Sequence, residues 1–209
     1  MSSAKVHSIF PEPLGVYYLE RDFTDQELQC IDSILLDTTD NFKNRHSSDT
    51  YVLKNKKLKN LNTFCLDSLH HFYEFTEGQQ SEMFITQSWL NLTHEGESHH
   101  CHTHPNSIIS GVFFIKTEET DDIRFLKTTT QDIYYTNKAD KVFNDWNSTS
   151  WFMPAKQGCL LLFRSSLMHE VPKTVSKKRI SLSFNSFFYK SCGDEKQLNY
   201  LNFQDLSKK

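Results

Sequence analysis

The sequence predicts a mainly β chain of α+β class, a β-sandwich or jelly roll with N-terminal helices packed on one side. Three observations predict it. Two stretches with helical apolar spacing lie in the first third of the chain. From Met83 onward, seven short apolar, β-branched or aromatic runs follow one another between polar or Gly/Pro breaks. No internal repeat and no low-complexity linker divides them, so one structural domain is expected. Within it, 1–82 reads as a helical region, 83–190 as the β core and 191–209 as a tail.

The first helix is announced by Thr24-Asp-Gln-Glu27, a capping box in which hydroxyl and carboxylate each satisfy a free backbone amide. Behind it Leu28, Ile31, Leu35 and Leu36 form an apolar stripe. A second helix is expected from about Leu58 to Phe75, with Leu58, Leu61, Cys65, Leu69 and Phe72 on its buried face and His70 and His71 on its surface. The strand runs are MFITQSWLNLT, SIISGVFFIK, DIRFL, SWFM, CLLLFR, LMHEV and RISLSFNSFFY. Between them, the polar stretch from Thr117 to Ser150 is expected to include a long loop over one mouth of the sandwich, where binding loops concentrate. Phe113, Phe114, Trp151, Phe152 and Phe163 are expected chiefly as sandwich core and secondarily as pocket walls.

Composition narrows the function. The 209 residues carry a net charge of −3, so no global basic field favours a nucleic-acid partner. No window reaches the roughly 18–20 uncharged apolar residues of a membrane helix, and the first residues lack a signal-peptide core. The five cysteines are scattered and form no CxxC pair, which disfavours a disulfide framework or a cysteine-based zinc site. A soluble protein of a reducing cytoplasm is expected, that of the host if the chain is viral.

Chemistry is concentrated in HHCHTHPNSIISG, from His99 to Gly111. Alternate residues of an extended chain share a face, so His100, His102 and His104 would point one way and Cys101 the other. Two such imidazoles make a natural two-point chelate for iron, zinc, copper or nickel. Far downstream, after Gly158 and the apolar strand to Phe163, His169 is the only histidine of the C-terminal hundred residues. The last strand then sets Arg179, Ser181 and Ser183 on one face and Ile180, Leu182 and Phe184 on the other. A guanidinium and a hydroxyl aimed the same way form a carboxylate clamp.

The ordered set resembles the 2-oxoglutarate and iron(II)-dependent oxygenases, and within them a bacterial and phage branch with an H-x-H core. The matching positions are Trp89 and Asn91, His102 to Pro105, Ser110 to Phe114, Gly158 to Phe163, His169, and Arg179 to Asn185. The resemblance spans about half the chain, Met83 to Phe188. It implies a double-stranded β-helix, the cupin-like jelly roll, holding Fe(II) at its open end with 2-oxoglutarate as co-substrate and O₂ as oxidant. By the resemblance His102 is the first ligand and His169 the distal one. Arg179 with Ser181 binds the far carboxylate of 2-oxoglutarate, and Asn91 adds a polar contact to it. The prime substrate is not implied, and exposed strand edges would allow a homodimer.

One position departs from the pattern. The usual facial triad is two histidines and a carboxylate, and here His104 stands where the carboxylate belongs. The favoured set is His102, His104 and His169. Competing sets use His100 with His102, recruit Asp121 or Asp122, or leave His104 aside with an extra water. Two rival functions follow: a cupin-like three-histidine dioxygenase that needs no 2-oxoglutarate, and a non-catalytic jelly-roll binding module.

Overall fold

The computed structural model describes residues 5–127 and 142–203. In chain order the elements are β1 (Leu14–Tyr18), α1 (Asp25–Ile34), β2 (Thr38–Asn41), β3 (Asn44–Ser47) and α2 (Lys59–Glu77). There follow β4 (Met83–His94), β5 (His99–His102), β6 (Ile109–Lys116), β7 (Asp122–Leu126) and β8 (Ser150–Pro154). The chain closes with β9 (Cys159–Arg164), β10 (Met168–Val171), β11 (Lys178–Phe188) and a short pair, β12 (Ser191–Cys192) and β13 (Leu201–Asn202).

Two antiparallel sheets face each other. One runs β1, β9, β6, β11, β4, β3, β2 and the other β5, β10, β7, β8. This is the double-stranded β-helix, with strands passing alternately between a large and a small sheet. Two apolar cores result. Phe113, Ile115, Leu160, Leu162, Leu182 and Phe184 face α2 and bury against Leu61, Cys65, Leu69 and Phe72. Val112, Phe114, Leu161 and Phe163 point the other way, toward Ile123 and Phe125 of the small sheet. The period of two divides each central strand between the cores, which is why GVFFI and CLLLF are apolar at every position.

In β11 and β4 the same alternation leaves an inner polar file. Ile180, Leu182 and Leu90 enter the helix-side core, while Arg179, Ser181, Trp89, Asn91 and Thr93 line a cavity between the sheets. Close packing fixes one glycine. Gly111 lies opposite Phe184 in the ladder, and a Cβ there would sit 2.3 Å from Phe184 Cζ.

The N-terminal part differs from its sequence reading. Both helices form, with the capping box intact: Glu27 N donates to Thr24 Oγ1 at 3.2 Å, and Thr24 N to the Glu27 carboxylate at 2.9 Å. Burial on α1, however, falls on Glu27, Cys30 and Ile31, while Leu28 and Leu36 are 41% and 88% exposed. Glu27 tolerates burial because Arg21 holds both its oxygens, at 2.7 and 2.8 Å. On α2 the expected face is the buried one, and Gly78 ends the helix in the left-handed conformation at φ 67°. Three strands arise where only helical signal was read. β1 pairs with β9, and the β2–β3 hairpin extends the large sheet beyond β4.

Within Thr117–Ser150 the DIRFL run forms β7 as expected, and the centre of the stretch, 128–141, where the long loop was expected, lies outside the described residues. Trp151 and Phe152 do not join the core: they stand 46% and 50% exposed on β8. Phe113, Phe114 and Phe163 are buried as expected.

Candidate metal centre

β5 and β10 are neighbours in the small sheet, and their register sets His102 directly opposite His169. Side chains of directly opposed residues leave the same face, and the two rings lie 4.4 Å apart. His104 comes two residues after the strand has ended. Its backbone N–H donates to Ser165 O at 2.9 Å, which draws the chain across toward the end of β9. That anchor brings His104 Nε2 to 3.3 Å from His169 Nε2. One ring nitrogen from each of the three histidines lies within 4.8 Å of the others.

The backbone also sets the tautomers. His102 Nδ1 donates to His100 O at 2.7 Å, and His169 Nδ1 to Leu167 O at 2.9 Å. A carbonyl only accepts, so the ring proton stays on Nδ1 and Nε2 presents a bare lone pair, the arrangement a ligating imidazole needs. Burial pushes His169 down to about 3 and His104 down to about 4, each reinforced by the neighbouring histidines. Burial lowers His102 as well. All three are neutral donors at neutral pH.

A second group shares one member: His99, His100 and His102 also bring ring nitrogens within 4.8 Å. His99 packs directly against the inner set. Its ring stacks on His102 at 4.5 Å, and its Nε2 accepts from Asn41 Nδ2 at 3.4 Å. That contact engages one of the two ring nitrogens of His99, and His100 is exposed at the rim. The inner set, backed by the Phe163 ring at 4.7 Å from His169 and by Trp89 beside His104, is the better enclosed. Neither Asp121 nor Asp122 belongs to such a group among the described residues. The Asp121 oxygens accept instead from Ser176 Oγ and the Glu118 amide, both at 2.9 Å.

Arg179, Ser181 and Asn91 line the cavity that the three histidines share. Arg179 is 3% exposed and packs 5.5 Å from the centre of the Phe114 ring. Its Nη1 donates to Asp122 O at 2.6 Å, while Nη2 is buried without a partner among the described residues. Burial lowers its pKa, and Asp121 and Asp122 oppose that. Asn91 is committed within its file: Nδ2 donates to Ser183 Oγ at 2.9 Å and Oδ1 accepts from Trp89 Nε1 at 3.2 Å. Asn44 and Thr93 line the same cavity and were not singled out from the sequence. No local motif marks them, because strand pairing alone carries them there. A second cavity of about 540 Å³ opens at the rim between Lys43, His100 and Lys173, sharing His99, Glu170 and Val171 with the first.

A jelly roll that gathers three imidazoles and a buried guanidinium in one cavity has donors that could hold a metal ion and an anionic ligand. The chain is similar to the 2OG-Fe(II) oxygenases over just under half of its length. Residues 87–185 match the family model described as "Putative 2OG-Fe(II) oxygenase", a span holding all three histidines and Arg179. Comparison with curated proteins gives no match. Among solved structures, HygX from Streptomyces hygroscopicus, with nickel, 2-oxoglutarate and hygromycin B bound, shares 11% identity over 84% of this chain and 82% of its own, with a TM-score of 0.56. A prolyl-4-hydroxylase from Pseudomonas putida shares 14% identity over 83% and 92%, with a TM-score of 0.52. An oxidoreductase of the 2OG-Fe(II) oxygenase family from Burkholderia pseudomallei shares 14% over 78% and 79%, with a TM-score of 0.53. These likenesses establish the fold, and the family match establishes the class: an oxidoreductase using Fe(II), 2-oxoglutarate and O₂.

Proposed function

We propose that His102, His104 and His169 hold Fe(II), that Arg179 and Ser181 bind the far carboxylate of 2-oxoglutarate with Asn91 beside it, and that the enzyme hydroxylates a substrate entering through the rim cavity. The observation that carries this reading is the orphaned Arg179 Nη2, a buried cationic donor in the cavity of the three imidazoles. Such a group costs stability until an anion pairs with it. The donor set fits the metal as well, since neutral nitrogen ligands suit Fe(II).

Fe(II), when bound, supplies the O₂ chemistry that couples decarboxylation of 2-oxoglutarate to succinate and CO₂ with oxidation of a substrate C–H bond. The chain's own part is placement. Leu167 O and His100 O fix two imidazoles with Nε2 inward. Arg179, itself held by Asp122 O, gives the co-substrate one orientation through a charge-assisted bond. Phe114 and Phe163 put apolar surface between the sheets, and the lower dielectric beside it strengthens that bond. With three imidazoles in place of two and a carboxylate, the metal keeps one more unit of positive charge. The clamp separates this reading from a three-histidine dioxygenase that needs no keto acid, because such an enzyme has no use for Arg179.

We also place the protein in a reducing cytoplasm, in keeping with its five free cysteines; no helix among the described residues is long and apolar enough to cross a membrane. Pairing through β2, the outer strand of the large sheet, would give a homodimer that sedimentation can read.

The test is turnover without prime substrate. Purified protein with Fe(II), 2-oxoglutarate and ascorbate is expected to form succinate slowly. Oxygen uptake independent of any keto acid would favour the three-histidine dioxygenase. Absence of both turnover and 2-oxoglutarate binding would sink the proposal.

A further inference from the structure

We infer that Asn44 is a further co-substrate-binding residue, whose side-chain amide completes a polar row with Thr93 and Arg179 on the inner face of the large sheet. The inference rests on the oxygenase reading and extends it to a strand outside the span that matches the family.

Asn44 is 5% exposed, and both Nδ2 and Oδ1 are buried without a hydrogen-bond partner among the described residues. An asparagine kept for structure would spend its amide on a turn or a cap. Asn44 does neither, and its backbone is not in the left-handed region that would favour asparagine. Register explains where its side chain goes. β3 pairs with β4 so that Arg45 meets Leu92 and His46 meets Asn91. Continued by one residue, that register sets Asn44 beside Thr93, and Thr93 in turn lies opposite Arg179. Thr93, 3% exposed, lines the same cavity as Asn44 and Arg179.

Arg179 Nη2 is the other orphan of that cavity. Two unpaired donors in one buried polar row, with the Thr93 hydroxyl between their strands, are arranged for an acceptor with several lone pairs. A carboxylate supplies them: it accepts from the guanidinium and from the Asn44 amide together. Asn44 Oδ1 is then left for a hydroxyl or a water.

Calorimetric titration of 2-oxoglutarate into Ni²⁺-loaded protein tests this without turnover. Asn44→Leu keeps the volume and removes both polar atoms; it should weaken binding about 10-fold to 100-fold, the range for losing one hydrogen bond to a charged group. Its metal-free thermal stability should equal or exceed that of the parent, because two orphaned atoms are gone. Asn44→Asp keeps the shape but sets a negative charge against the carboxylate, and should bind more weakly than Asn44→Leu. Arg179→Met is the control. Equal affinity in the parent, Asn44→Leu and Asn44→Asp, with loss only in Arg179→Met, would overturn the role of Asn44 and leave the oxygenase reading standing. No binding by the parent would overturn the reading itself. A lower melting temperature with unchanged affinity would make Asn44 structural and also refute the inference.

Discussion

Replacing Arg179 with methionine should uncouple the stability of the protein from its co-substrate. In the metal-loaded parent, a ligand that binds only the folded state adds about 2.7 kcal/mol at a concentration 100 times its Kd. For a domain of this size each kcal/mol moves Tm by about 2–4 °C. Saturating 2-oxoglutarate should therefore raise Tm by about 5–11 °C in the parent. Arg179→Met should erase that rise. The same change removes a charge that is 3% exposed and has one backbone partner, at 2.6 Å, and no ion pair among the described residues. Burial, which lowers the pKa of Arg179, outweighs the attraction of Asp121 and Asp122, so an apolar side chain in its place should be neutral or stabilising. The ligand-free variant should thus melt at or above the parent temperature, with its metal content unchanged. Differential scanning calorimetry with Ni²⁺, with and without 2-oxoglutarate, reads both quantities. A variant that keeps the ligand-dependent rise would refute the clamp. One that loses metal would make Arg179 a structural support of the histidines.

Metal-free protein should lose stability as pH falls below about 6.5. Burial holds His104 down to about 4 and His169 down to about 3, so between those values and 6.5 the unfolded chain binds protons that the folded chain refuses. Above 6.5 both states are neutral and the effect vanishes; each group contributes a slope of up to about 1.4 kcal/mol per pH unit. Urea unfolding at pH 5 and pH 7.5 checks it, and a metal-free stability that is flat or rises toward pH 5 would contradict it. Gly111→Ala should destabilise by about 1–3 kcal/mol, the usual penalty of overpacking, because the new Cβ meets the Phe184 ring at 2.3 Å. Pairing it with Phe184→Leu should recover part of the loss in the same urea assay.

The parts legible in the sequence are those governed by local periodicity. The α2 face and the central strands follow from spacing alone, and strands buried on both sides have no polar position to mislead. The parts not legible depend on partners distant in sequence. TTDN and NRHS are polar and short, and become strands only because β4 offers an edge to extend. On α1 a leucine stripe was the natural expectation, yet Arg21 neutralises Glu27 and lets a carboxylate take the buried face.

The site divides the same way. H-x-H and R-x-S could be read because each is local, and the structure brings His102, His104, His169 and Arg179 to one cavity. Strand alternation was the wrong reason for pairing His104 with His102, however. β5 stops at His102, and the bond from the His104 amide to Ser165 O turns that ring inward. Asn44 and the stacked ring of His99 carried no sequence signal, since only the β3 register and the neighbouring Asn41 place them.

The most direct test of the central claim is a crystal structure of the metal-loaded protein, with anomalous scattering locating the ion. A single site ligated by Nε2 of His102, His104 and His169, with no protein carboxylate, is the expected result. An ion held by His99 and His100, or one that takes an aspartate oxygen while the His104 ring turns away, would contradict it.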